Sequence, residues 1–273
     1  MAAAMFLRIR HVLSLPGGDT VWLPAIGYGG LTSALRRRLV RSCCAAADEV
    51  IVLTEYQKQH AAQNGLPLSR AVVIPFGVDT SEFAFQPMQF SLPLRLISIG
   101  SLNRVKNIFL QIEAYAILRR SVDCQFTIVG EDVNSGEARK FADSLHVGRL
   151  IQWMGHCAHT EIAGFLHNAH MLMHTALYEA EGVVIMEAFS AGTIVAGTRV
   201  GLLAETDSDG RCTIDGNDPA LLAEKILTLW RDGQLTARLR ETNRRYAERT
   251  SIDWTAGKYA ELYSEVIRTD ASP

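Results

Sequence analysis

From residue 94 onward, short runs of apolar and β-branched residues alternate with longer amphipathic stretches. The runs are 94–100 (LRLISIG), 125–130 (QFTIVG), 150–154 (LIQWM), 171–175 (MLMHT) and 193–197 (TIVAG). Helical patterns lie between them, near 106–120, 136–146, 159–168 and 183–191. Continuously apolar strands separated by helices predict a parallel sheet covered on both faces, and so a doubly wound α/β domain. Gly192 marks a stop for the 183–191 helix. Asp218 followed by Pro219 marks the start of another, ahead of the repeat ALLAEKILTLW. A last helix is predicted over about 253–268.

Upstream the pattern is thinner. Residues 49–54 (EVIVLT) and 71–75 (AVVIP) read as strands, 55–64 as a helix between them, and 31–47 as an earlier helix. Residues 75–79 are turn-rich, and 85–93 (FQPMQFSLP) reads as a linker. The expected organisation is an N-terminal α/β remnant over 1–85 and a ligand-binding domain over 86–251. The helix at 252–268 is expected to pack back on the N-terminal part.

Composition narrows the function classes. With 27 basic and 29 acidic residues in 273, the formal net charge is −2, which gives no footing for general nucleic-acid binding. Five cysteines form no CxxC pair, which fits a reducing compartment. The N-terminal apolar run is too short for a signal peptide, and no stretch approaches the roughly 20 apolar residues of a spanning helix. A cytoplasmic protein is the expectation. The basic patch of Arg36, Arg37, Arg38 and Arg41 leaves open a peripheral contact with the inner face of a membrane, against the plainer reading of a solvated helix face.

The segment 178–192 (YEAEGVVIMEAFSAG) carries the most chemistry. Glu179 falls on the loop leaving the 171–175 strand, at the carboxyl edge where open α/β sheets bind ligands. Gly182 then opens a helix whose first N–H groups and dipole favour an anion. Glu187 stands about one turn into it. A phosphate at the helix start flanked by two hydroxyl-accepting carboxylates suits a nucleotide diphospho-sugar, while two solvated surface glutamates remain the bland alternative. A second motif, 100–107 (GSLNRVKN), places Lys106 near a helix start, where it can meet a phosphate as a point charge. No GxGxxG or GxxxxGK[ST] loop is present. The histidines, among them His156, His159, His167, His170 and His174, lack a cysteine framework, so no metal site is expected. His170 and His174 are expected to face a core layer or the cleft.

In order along the chain stand Ile74 to Asp79, Gly100 to Lys106, Ile128 to Gly130, Trp153 to His156, Glu179 to Glu187, Val200 to Glu205, and a helix starting at Ile252. This ordered set, spanning about residues 10–268, resembles the retaining glycosyltransferases of group 1. These are a GT4-like family with the GT-B architecture of two facing Rossmann-like domains. The resemblance implies that Glu187 holds the donor ribose and that Glu179 contacts the transferred sugar. It also implies that the backbone around Gly182 and Val183 holds the diphosphate, with Lys106 paired to it. Gly155 and His156 would lie near the base. Glu179 and Lys106 are then the catalytic candidates, and the donor is a nucleotide diphospho-sugar with no cofactor or metal. Ser101 stands where an arginine commonly joins the lysine, with Arg104 as the nearby substitute. Glu181 replaces an aromatic residue, adding negative charge beside the diphosphate, and Leu202 replaces the second glycine of a pair. Both substitutions predict weakened donor binding.

Against the family's usual length, residues 1–85 match only the later part of the acceptor-side domain, and neither His11 nor His60 matches its usual histidine. That predicts either a protein partner supplying the missing half or a chain with little transfer activity. A partner-dependent nucleotide-sugar-binding subunit is the alternative function, and a sugar-nucleotide epimerase a more distant one. Sugar, base, acceptor and linkage are not readable from the sequence.

Overall fold

The computed structural model describes residues 9–268. Two parallel sheets organise them. The first has three strands in the order β1 (Val12–Ser14), β2 (Glu49–Val52), β3 (Val72–Val73), with Val12 opposite Glu49 and Ile51 opposite Val72. Helices α1 (Ala34–Ala46) and α2 (Glu55–Gln63) connect these strands. Ser33 and Thr54 cap the two helices by accepting from Arg36 N and Gln57 N.

The second sheet has six strands, β4 (Leu94–Ile99), β5 (Cys124–Val129), β6 (Ile151–Gly155), β7 (Met171–His174), β8 (Ile194–Thr198) and β9 (Thr213–Ile214). All are parallel, in the order β6-β5-β4-β7-β8-β9. This is the doubly wound Rossmann order, and it reverses between β4 and β7. Every residue of β7 and β8 is buried, as strands covered on both faces must be. Between the strands run α3 (Ile108–Leu118), α4 (Glu137–Ser144), α5 (His159–Asn168), α6 (Val183–Ala191) and the short α7 (Leu202–Thr206). Three helices follow, α8 (Pro219–Arg231), α9 (Gly233–Arg249) and α10 (Ile252–Arg268). Leu96, Phe126, Ile112 and Leu222 belong to one apolar layer of the sheet; Ile97, Leu172, Ile185 and Phe189 belong to the other.

The predicted elements are present, with ends shifted by a few residues. Asp218 accepts from Ala220 N and Leu221 N with Pro219 at the first helical position, and Gly192 ends α6 at φ +84°. Among the described residues, the strands and α-helices outside the predicted set are β1, α7, β9 and α9. The first three have five residues or fewer, too short to show a period. Helix α9 is long but polar, and only Leu235, Thr236, Arg240 and Ala247 of its 17 residues are buried.

Arg240 ties the start of the 85–93 segment to the end of α6. Its Nε donates to Gly192 O and its Nη2 to Gln86 O, both at 2.6 Å, while the guanidinium lies 4.9 Å from the Phe85 ring centroid. Phe90 stacks on His170 at 5.3 Å. Helix α10 lies on the first sheet, where Leu262 joins Ile51 and Ile74 in one apolar cluster with Trp254 and Tyr259 at its edge. The chain crosses between the units at Gly77, where a Cβ would come within 2.3 Å of the Ser251 carbonyl, so only glycine fits.

Candidate functional site

The reversal of strand order opens a crevice between the loops that follow β4 and β7. Each loop is fixed by hydrogen bonds. After β4, Asn103 Oδ1 accepts from Lys106 N at 3.1 Å, and Asn107 turns at φ +50° to open α3. Thr175, just past β7, donates to the carbonyls of Lys106 and Asn107 at 3.2 and 3.0 Å and accepts from Gln111 Nε2 at 2.9 Å. The lysine turn is thereby tied to the end of β7.

The loop after β7 is held at successive residues by distant parts of the chain. Ala176 O accepts from Thr198 Oγ1, Leu177 N donates to Val105 O, and the Tyr178 hydroxyl bonds Thr20 Oγ1 at 3.0 Å. Ala180 O accepts from Thr54 Oγ1 at 2.6 Å and Glu181 O accepts from Leu202 N at 2.9 Å. The result sets Glu179 against Lys106 in an ion pair, with both side chains partly exposed. His174 Nε2 lies 3.6 Å from the same carboxylate. Burial pushes the His174 imidazole down to about 4, the Lys106 charge adding to this and Glu179 opposing it, so it stands neutral beside the pair.

Gly182 opens α6 at φ +96°; a Cβ there would come within 2.7 Å of Ile185 Cδ1. The start of α6 presents the partial positive charge of a helix N-terminus, with Ile185 N turned back to Gly182 O at 2.8 Å. Glu187 is 6% exposed. Its carboxylate meets His159 Nε2 at 2.9 Å, and His159 Nδ1 lies 3.5 Å from Glu82. Burial raises the Glu187 carboxyl while the His159 bond pulls it down.

Of the other sequence candidates, Ser101 lines the same small cleft as Lys106 and His174. Arg104 is exposed and lies 3.8 Å from Glu137 at the start of α4. Gly155 ends β6 at φ +72° and His156 follows it, exposed. Val183 is 42% exposed in the first turn of α6. The two substitutions expected to weaken binding take other directions. Glu181 turns toward the N-terminal unit, where its Oε2 accepts from Phe76 N at 2.9 Å and burial pushes its carboxyl up to about 8. Leu202 is fully buried in the core layer with Ile185 and Phe189, and its N–H donates to Glu181 O.

Sequence reasoning missed His159, which the histidine count had set aside, and Tyr28. Burial raises the Tyr28 hydroxyl, with Glu179 and then Asp19 adding to the shift. Tyr28 sits in a glycine-rich loop whose approach to Glu179 is a tertiary fact without a local signal. For His159 a signal existed: it is the first residue of a helix that packs beside the glutamate helix.

The fold has known counterparts. Anabaena HepE in complex with UDP superposes with a TM-score of 0.81 at 20% identity, over 97% of this chain and 74% of that one. Sucrose-phosphate synthase from Thermosynechococcus elongatus gives a TM-score of 0.83 at 18% identity, over 98% and 71%. In sequence, the D-inositol 3-phosphate glycosyltransferase of Paenarthrobacter aurescens is 26% identical over 84% of this chain. The glycogen synthase of Mycobacterium tuberculosis is 28% identical over 77%. The chain spans 58% and 52% of those two relatives' lengths. Residues 1–82 match the model of Glycosyltransferase Family 4. Residues 81–246, more than half of the sequence, match that of Glycosyl transferases group 1. With the motif order implied by the sequence and the two-sheet fold in agreement, the chain belongs to the glycosyl transferases group 1 family.

Proposed function

We propose that this protein transfers a sugar from a nucleotide diphospho-sugar to an acceptor with retention of anomeric configuration. The observation that carries the reading is the meeting of Lys106, Glu179 and the α6 N-terminus at the switch point of the sheet. A cation and a helix start converge there with a carboxylate between them. The UDP complex of the structural relative HepE supports a nucleotide donor, and the glycosyltransferase relatives support sugar transfer.

In this reading Lys106 exchanges Glu179 for the incoming diphosphate, which the amides of Gly182 and Val183 hold at the helix start. Glu179, released, accepts from hydroxyls of the transferred sugar. Glu187 holds the ribose, and Gly155 and His156 flank the base. As the glycosidic bond to the diphosphate breaks, negative charge grows on the leaving oxygen. Lys106 and the α6 dipole are placed to stabilise it without reorganising. The acceptor then attacks from the face the diphosphate leaves. Arg104 reaches the phosphates only by leaving Glu137, so Ser101 and Lys106 carry that side of the site. The donor is a substrate, and the reading calls for no metal or cofactor.

Calorimetric titration with uridine, guanosine and adenosine diphospho-sugars tests the donor site. Binding by one of them, weakened about tenfold or more in Glu187→Ala, is expected from the loss of hydrogen bonds to a charged group. The anomeric configuration of the product, read by NMR, tests retention. No binding to any donor by the folded chain would sink the reading. Donor binding without acceptor-dependent turnover would shift it to the partner-dependent subunit.

A further inference from the structure

Glu187 poses a physical problem for ribose recognition. A carboxylate accepts from two hydroxyls only when ionised, and burial opposes ionisation. The charged groups facing this region come from three elements. Glu187 stands on α6, Glu82 on the loop preceding the 85–93 segment, and His159 at the start of α5. Glu161, also on α5, is turned back to accept from Ala158 N at 2.8 Å. His159 is thus the cation of the group. Its ring bridges two carboxylates, Nε2 to Glu187 at 2.9 Å and Nδ1 to Glu82 at 3.5 Å. Only the imidazolium has a donor on both nitrogens. Phe83 meets the ring edge-on at 5.6 Å and sets its plane. A cation at a helix N-terminus runs against the dipole, so this histidine is held by its carboxylates and not by its helix.

Resting on the reading of Glu187 as the ribose-holding group, we infer that His159 is a positioning residue for nucleotide recognition. As an imidazolium clamped between Glu82 and Glu187, it keeps the Glu187 carboxylate charged and turned toward the ribose hydroxyls. The Glu187 bond, with Glu82 beside it, raises the His159 pKa above its ordinary 6.5. With Glu187 and Glu82 ionised, the imidazolium of the clamp is fully present below that value and is lost as pH rises through the raised one. Nucleotide affinity therefore falls on the alkaline side.

The test uses UDP, GDP and ADP as probes, titrated calorimetrically into wild type, His159→Ala, His159→Gln and Glu187→Ala at about pH 6 and about pH 8.5. The side chain of His159 is 64% exposed, so both substitutions leave the core untouched. The expected loss in His159→Ala is about tenfold at the lower pH, the scale of one hydrogen bond to a charged group. The loss shrinks at the higher pH, where less of the wild-type imidazole is protonated. His159→Gln, which keeps a donor but no charge, recovers part of the affinity and flattens the pH dependence. A 2′,3′-dideoxy nucleotide shows no difference between wild type and His159→Ala. Unchanged or tighter binding by His159→Ala at the lower pH, with Glu187→Ala still weakened, overturns the clamp alone. So does an equal loss with the dideoxy nucleotide. If Glu187→Ala itself binds normally, the ribose assignment fails and the clamp falls with it.

Discussion

At the scale of single residues, Lys106, Glu179 and His174 meet in one cleft, while the neighbouring Glu181 carboxyl turns to Phe76 N. A strand end followed by a helix start marked Lys106, Glu179 and Glu187 as candidates in the sequence. Glu181 shows what spacing cannot give. Beside a diphosphate it reads as a repulsive charge, yet its carboxyl is buried against Phe76 N, contributed by a loop 105 residues away. Desolvation raises its pKa from 4.5 to about 8, with the Phe76 bond opposing and Glu205 and Glu179 adding. An acid whose folded pKa lies above its unfolded one contributes stability that is full below the unfolded value. That stability is lost as pH rises through the folded one. Here the window runs from 4.5 to about 8. Glu181→Gln keeps the acceptor for Phe76 N and cannot ionise, so it should be more stable than wild type by about 1–3 kcal/mol at pH ~8. The difference should be smaller at pH ~5. Urea unfolding at the two pH values checks this, and parallel curves for the two proteins would show that Glu181 ionises freely in the folded state.

At the scale of elements, what was legible followed length and apolar period. Strands such as β7 and β8, with every residue buried, leave a continuous apolar run that a reader cannot miss. Helix α9 left no such trace. It is held by four scattered buried residues, Leu235, Thr236, Arg240 and Ala247, and carries a surface ladder in which Glu241 pairs with Arg244 and Arg245. The start of α6 combines both kinds of information. Its glycine was legible as a helix opening, but the demand on Gly182 is set by φ +96° and by Ile185 and Glu179 crowding its missing Cβ. Gly182→Ala should cost at least about 1–2 kcal/mol from the left-handed backbone alone. Because the alanine methyl would push against Glu179, nucleotide affinity should fall as well. Thermal unfolding combined with donor titration measures both effects. Wild-type stability and affinity together would mean that the α6 start can relax to negative φ without disturbing the site.

At the scale of the whole molecule, the sequence showed two α/β parts and a last helix, while the way they interlock is tertiary. Thr54 and Tyr56 at the start of α2 bond Ala180 O and Glu205, so the N-terminal unit holds the loop after β7 directly. Helix α10 closes the circuit from the other end of the chain. Its Ile252 N donates to Val78 O, Thr255 Oγ1 donates to Pro75 O at 2.9 Å, and Leu262 fills the face of the first sheet beside Ile51 and Ile74. A three-stranded sheet of such short strands has little core of its own, with α1 and α2 on one face and α10 supplying the other. Removing the Leu262 side chain leaves a hole against two residues that are 0% and 1% exposed. Leu262→Ala should therefore cost about 2–5 kcal/mol, the range for buried leucine truncation. Ile267→Ala on the same helix, 68% exposed, should stay within about 0.5 kcal/mol. If urea unfolding gives both variants the same small shift, α10 does not carry the first sheet. If only Leu262→Ala falls, α10 is the element that covers the second face of the first sheet, and the N-terminal strands depend on it for their stability.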